Sequence, residues 1–126
     1  MAFINDEVFD QGLDFADAFA AGSPRVDIVS TDPGGTYATV TGNTLGNKTG
    51  ASIGATADAA TGTGRRVTLA AITDGSVTGS GTATHWAITN GTDTVLASGA
   101  LSSSQVVTSG NTFTLDAVDI IIRDPV

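Results

Sequence analysis

The sequence predicts an all-β fold: an antiparallel β-sandwich of jelly-roll type, preceded by a short amphipathic helix or arm. Three observations carry that expectation. The chain is rich in Thr, Ser, Ala and Gly, with 16 Gly and few charges, a composition that favours strands and turns over helices. Turn signals recur at short intervals between apolar runs, with nothing resembling βαβ alternation. The stretch Gly81–Ile122 also alternates apolar and small polar residues around a hairpin signal, and it holds the single Trp and the single His.

A chain of 126 residues corresponds to one domain with one core. The boundaries that follow are an N-terminal arm at 1–22 and a β-domain at 23–126. Large side chains are scarce, with five Phe, one Trp and one Tyr. A core built mainly from small residues buries modest apolar area, which leads to the expectation of a homo-oligomer.

Within the arm, Ile4, Val8, Phe15 and Phe19 fall on one helical stripe, with Phe9, Leu13 and Ala16 beside it. Asn5 suits the cap, Asp6 and Glu7 suit the first turn, and Gly22 with Pro24 marks the stop. Gly12 weakens the middle by ~1 kcal/mol relative to Ala. Phe3, Ile4, Phe9, Phe15 and Phe19 form an apolar set that either packs on the chain's own sheet or docks the arm on a neighbour. Asp10, Asp14 and Asp17 share a helical face. They are read as a solvated acidic surface, since three monodentate carboxylates on one helix make a poor Ca²⁺ cage.

Arg25–Ser30 is expected as a strand with Val26 and Ile28 inward and Arg25 and Asp27 outward. Asp32-Pro33-Gly34-Gly35 is a turn, because Pro sets φ and Gly accepts positive φ. A short apolar stretch follows at Tyr37–Val40. Residues 41–64 lack period and are expected as a long Gly/Thr/Ala-rich loop able to touch partners. Strand character returns at 65–72, with Val67, Leu69 and Ala71 on one face. Thr73-Asp74-Gly75-Ser76 is expected as a turn, and Val77–Thr82 as a weak strand.

Trp86 and Ile88 then alternate with His85 and Ala87, and Asn90-Gly91 is a hairpin signal. Thr94–Ser98 is the returning strand, Gly99 a turn, and Leu101 the start of a Ser-rich connection. Val106-Val107 is a short strand that Ser109-Gly110-Asn111 reverses. The last strand runs from Thr112 to Arg123. Phe113 and Leu115 share one parity and Val118, Ile120 and Ile122 the other, so its two ends serve different layers or a bulge intervenes. About seven strands result. Trp86, Ile88, Phe113 and Leu115 are the expected core anchors.

Several function classes are disfavoured. The net charge of −8, from thirteen acids and five bases, argues against nucleic-acid binding, which needs clustered Lys and Arg. The absence of Cys removes disulfides and thiol chemistry. The start MAFINDEVFD has no basic region and does not resemble a signal peptide, and no apolar run reaches the ~20 residues of a membrane helix. A soluble chain made in the cytoplasm is therefore expected, with no membrane partner. His85 has no sequence neighbour that completes a dyad, and Ser residues lack the GxSxG context. Gly62-Thr63-Gly64-Arg65-Arg66 lacks the Lys-Ser/Thr ending of a phosphate loop. No enzyme activity, cofactor or metal is expected.

The order TATHWAITNG, VLASGALSSSQVV and SGNTFTLDAVDIII, with VDIVSTDPGG and an amphipathic segment upstream, resembles small virion proteins of tailed bacteriophages. These are the head-decoration, head-fibre and tail-fibre-like proteins. The resemblance spans most of the chain and is loosest at 41–64. It implies a non-enzymatic structural component assembled in many copies against other virion proteins, such as the major capsid protein or fibre and tail proteins. A capsid decoration, cement or head-fibre role is expected first. A tail-fibre or spike subunit for host attachment is the alternative, and a stand-alone carbohydrate-binding module ranks last. The implied location is the virion, after synthesis in the cytoplasm of a bacterial host.

Overall fold

The computed structural model describes residues 3–4, 25–50, 57–58 and 64–122. Within them the chain is an antiparallel β-structure of two sheets with one short helix. In chain order the elements are β1 (Phe3–Ile4), β2 (Arg25–Val29), α1 (Tyr37–Asn43), β3 (Thr44–Thr49), β4 (Ala57–Asp58) and β5 (Arg65–Leu69). They continue with β6 (Ile72–Val77), β7 (Gly81–Thr89), β8 (Val95–Val107), β9 (Thr112–Leu115) and β10 (Val118–Ile122). The larger sheet has seven strands in the order β1-β8-β7-β2-β3-β6-β9, and the smaller has three in the order β10-β5-β4. The all-β class predicted from composition and turn spacing is the class observed.

The main core lies between the sheets. Val26, Ile28, Ala83, Ile88, Val107, Phe113 and Leu115 of the larger sheet meet Val67, Leu69 and Ile120 of the smaller. Consecutive residues on a strand point to opposite faces, so Asp27, Val29 and Ala87 turn away from this core. There α1 covers them, and Val40 and Tyr37 close a second apolar cluster with Val29, Ala87 and Val95.

Helix α1 stands where the sequence pattern gave only a short apolar stretch and the start of a loop. Its composition, Tyr-Ala-Thr-Val-Thr-Gly-Asn, is a poor helix former, so packing and local bonds must hold it. Val40 is fully buried, Asn43 Nδ2 donates to Thr39 O at 2.9 Å, and Ser30 N donates to Asn43 O at 3.2 Å. The turn before it forms as expected: Gly34 takes φ +54°, and its N–H donates to Asp32 Oδ1 at 2.9 Å. Ser98 Oγ donates to Gly34 O at 2.8 Å and ties the turn to β8.

Four further expectations change, three of them at glycine. Residues 41–64 are not one loop, because Thr44–Thr49 is a strand inside the larger sheet, paired with β2 and β6. Thr73-Asp74-Gly75-Ser76 does not reverse the chain; it lies within β6, with a register shift between Ile72 and Gly75. Gly99 does not turn either, since β8 continues through it for 13 residues. Each of these glycines lies under an aromatic ring. A Cβ on Gly46 would come within 3.0 Å of Phe113 Cδ1, one on Gly75 would overlap the same ring, and one on Gly99 would lie 2.9 Å from Trp86 Cζ2. The missing side chain is replaced by a neighbour's ring, so these glycines belong to strands and not to turns. The fourth change is Asp27, expected outward and found fully buried.

The arm divides differently from the sequence reading. Phe3–Ile4, expected as the start of a helix, is a strand paired with Ser98 and Ala97 of the same chain. The remaining arm positions, Phe9, Phe15, Phe19 and the acidic trio among them, lie outside the described residues. The parity switch near Ala117-Val118 is real: β9 pairs with β6 in the larger sheet, and β10 pairs with β5 in the smaller. One stretch of chain thus crosses between the layers.

Asp27 accepts from Arg25 Nε at 2.6 Å, Arg25 Nη2 at 3.1 Å and Thr44 Oγ1 at 2.6 Å, tying β2 to the start of β3. Burial pushes its carboxyl above the ordinary value of 3.8, and the bonds from Thr44 and Arg25 offset only part of that rise. Two exposed cross-strand pairs complete the polar ties: Lys48 with Asp74 and Arg66 with Asp119, each at 2.9 Å. Such pairs contribute little individually.

Two predictions follow from this packing. Gly75→Ala and Gly99→Ala should each lower stability by about 1–3 kcal/mol, because the added methyl meets a ring in a filled core. Gly42→Ala, in α1 with nothing within 4 Å, should instead be neutral or raise it by about 0.5–1 kcal/mol. Urea midpoints at constant m-value separate the three. For Asp27, a folded-state pKa above 3.8 means that the native state binds more protons than the unfolded state just above that pH. Its contribution is then largest below pH 3.8 and falls as pH rises through the raised value. The stability of wild type relative to Asp27→Asn should accordingly decline on going from acid towards neutral pH; a rise would show that Arg25 outweighs burial.

Candidate functional site

Antiparallel pairing of β7 with β8 shifts register at two places, by one residue between Ile88 and Thr89 and by more between Ala83 and His85. Between the pairs Ala83–Gln105 and His85–Ala100, Thr84 alone opposes Leu101–Ser104. This wide bulge lets Leu101 pack against the core while Ser102, Ser103 and Ser104 are exposed. Bulges of this kind re-aim side chains and loosen the ladder locally. The Ser-rich connection expected at this point is thus an excursion within one long strand.

The larger sheet curls, bringing β9 alongside this part of β8. No backbone ladder joins the two strands. The Gln105 side chain does the pairing instead: Nε2 donates to Thr114 O at 3.0 Å, and Thr114 N donates to Oε1 at 3.4 Å. Beyond this clip the strands part around a concave space of about 650 Å³. One wall is the serine bulge. The other is the exposed Asp116-Ala117 link where the chain passes from β9 to β10. Trp86, Leu101, Leu115 and Val118 supply the apolar lining.

Trp86 is half-buried, packs against the core, and also borders this groove. Its register partner is Gly99, and the nearest ring atoms to a Cβ built there are Cζ2, Cε2 and Nε1, at 2.9, 3.1 and 3.2 Å. The indole therefore lies across bare β8 backbone. The other core anchors, Ile88, Phe113 and Leu115, are all buried. His85 lies on the opposite face of β7 from Trp86, half-buried, with Nδ1 2.8 Å from Thr84 Oγ1.

The expected Asn90-Gly91 hairpin forms, but as a five-residue connection between Thr89 and Val95. Asn90 Oδ1 accepts from the amides of Thr92, Asp93 and Thr94 at 2.9, 3.0 and 3.1 Å, and Gly91 takes φ +76°. Side-chain bonds from Asn90 and Thr94 hold the Asp93 carboxyl below its ordinary range. In the same way Thr68 and Arg66 hold Asp119 below its ordinary range. These carboxylates therefore fix a loop and a strand pair in place.

The groove residues Ser102, Ser103, Ser104, Gln105 and Asp116 were not singled out by motif. Their one sequence signal is a serine run interrupting an otherwise apolar strand. Among the described residues no group of three or more His, Asp or Glu side chains could hold a metal ion. Among the same residues no helix is long and apolar enough to cross a membrane. No family model, curated protein or solved structure matches the chain.

Removing the clip tests how the groove is held. Gln105→Ala should speed hydrogen exchange at the Thr114 amide by about tenfold and cost about 1 kcal/mol of stability. Two-dimensional NMR exchange rates check this; an unchanged Thr114 rate would mean that β9 is held by β6 alone.

Proposed function

We propose that the chain is a non-enzymatic structural protein of a tailed-bacteriophage particle, a capsid decoration, cement or head-fibre subunit present in several copies. Its partners are then other virion proteins and further copies of itself. Its location is the virion, after synthesis in the cytoplasm of the bacterial host.

The sequence resemblance to small phage virion proteins motivates this reading, and one structural observation supports it. Three of the stretches that carry the resemblance are β7, β8 and β9–β10, the framework on which both sheets depend. The carboxylates of Asp27, Asp74, Asp93 and Asp119 all bond to groups of the chain's own strands and loops, in keeping with a scaffold. Strand β1, at Phe3–Ile4, is an edge strand of the larger sheet, and an edge strand is a suitable place for a partner to pair. Symmetric packing would bury surface that the small-residue core leaves exposed.

A second reading, a tail-fibre or spike subunit in host attachment, is favoured by the groove beside Trp86. Copy number separates the two. On density-gradient-purified particles, quantitative mass spectrometry should find the protein co-migrating with the major capsid protein at a stoichiometry set by the shell lattice. A few copies labelled only at the tail or one vertex would favour the second reading. Recovery solely in the particle-free fractions would overturn both.

A further inference from the structure

From the groove between the serine bulge of β8 and the β9–β10 link, we propose a saccharide-binding site in which one pyranose ring stacks on Trp86. This inference stands apart from the particle assignment.

Its volume of about 650 Å³ falls within the range of small-molecule sites, which are typically ~300–1,000 Å³. The lining has two chemistries arranged in layers. Trp86, backed by Leu101, Leu115 and Val118, offers an aromatic and aliphatic surface. Ser102, Ser103, Ser104 and the Asp116 carboxylate stand exposed around it. A pyranose presents the complement: an apolar C–H face, and hydroxyls at its edge that both donate and accept. Serine hydroxyls also do both, and a carboxylate accepts from two hydroxyls at once. Stacking on an aromatic face supplies affinity, and the rim supplies orientation.

The platform is rigid. Gly99 lets the indole lie against backbone, so little side-chain freedom is lost on binding. Two further polar groups of the groove are already committed: the Gln105 amide to Thr114, and Asp119 to Arg66 and Thr68. Among the described residues no Lys or Arg lines the space, which disfavours phosphates and other anions. Among the described lining residues one uncommitted carboxylate, Asp116, remains for a cation, against the hydroxyls of Ser102, Ser103, Ser104 and Thr114, so a neutral polyol fits better than an ammonium ligand.

Trp86 is the only Trp in the chain, so intrinsic fluorescence reports on this site alone. The full chain is titrated with methyl α-glucoside, methyl α-mannoside, methyl β-galactoside and methyl N-acetyl-β-glucosaminide, and with linear oligosaccharides of each sugar. At least one should give a saturable change below about 10 mM, as befits a single-ring site of modest affinity. Asp116→Ala, on an exposed link, should lose about tenfold in affinity while its melting temperature stays unchanged. Trp86→Phe keeps a ring over Gly99 and should bind about tenfold more weakly, read by saturation-transfer NMR on a variant whose amide spectrum remains folded. Three outcomes overturn the proposal: no saturable response to any sugar, full binding by Asp116→Ala, or a response to tetramethylammonium chloride in place of the sugars. A negative result here leaves the particle assignment as it was.

Discussion

The ring of Phe113 rests against the bare backbone of Gly46 and Gly75, and much of the larger sheet depends on that contact. The three residues belong to β9, β3 and β6, so one side chain fills the space above three adjacent strands. This follows from composition. Outside the arm the chain has one Phe, one Trp and one Tyr, and cannot give each strand a large inward residue. Small residues let the strands approach, and one large ring fills the volume they leave. Close packing is reached with few large side chains, at the cost of making those few hard to replace.

The same economy recurs at Trp86 over Gly99, with a different outcome. Phe113 lies at the centre of the core and is buried, whereas Trp86 lies where the ladder opens and keeps part of its surface accessible. The opening has a definite cause: four residues of β8 oppose one of β7, and β9 is hydrogen-bonded to β8 by a glutamine side chain in place of a backbone ladder. A regular ladder would have left no groove. The serines sit where the excess chain is accommodated, because exposed backbone and hydroxyls remain solvated there.

How much of this was legible in the sequence divides along physical lines. Strands β2, β5, β7 and β9–β10 carry β-branched or alternating apolar residues, and the pattern marked them. The crossing of the final stretch between layers was visible as a change of parity at Val118. Glycine misled wherever its role was to lie beneath a ring, since a local signal for turning cannot be told from a tertiary need for space. That accounts for β3, β6 and the middle of β8. Helix α1 was hidden because its residues favour other conformations and packing on Val29, Ala87 and Val95 overrides them. The buried position of Asp27 was equally illegible, because it requires Arg25 and Thr44 to be placed around the carboxylate first. The groove is assembled from parts far apart in the chain, and only the serine run marked it.

The pairing of residue 3 with residue 98, and of β5 and β6 with Thr112–Ile122, bears on how the chain is made. A ribosome delivers β2 through β6 long before their outer partners. Until the Thr112–Ile122 stretch emerges, β6 lacks its outer neighbour, β5 lacks β10, and the glycines of β3 and β6 lie uncovered. Domains dominated by such distant pairings fold slowly, and their exposed edges are open to wrong partners in the meantime. For this chain the hazardous interval is set by translation itself. A low density of large apolar residues, which limits the stability of the finished domain, also makes the waiting nascent chain less adhesive.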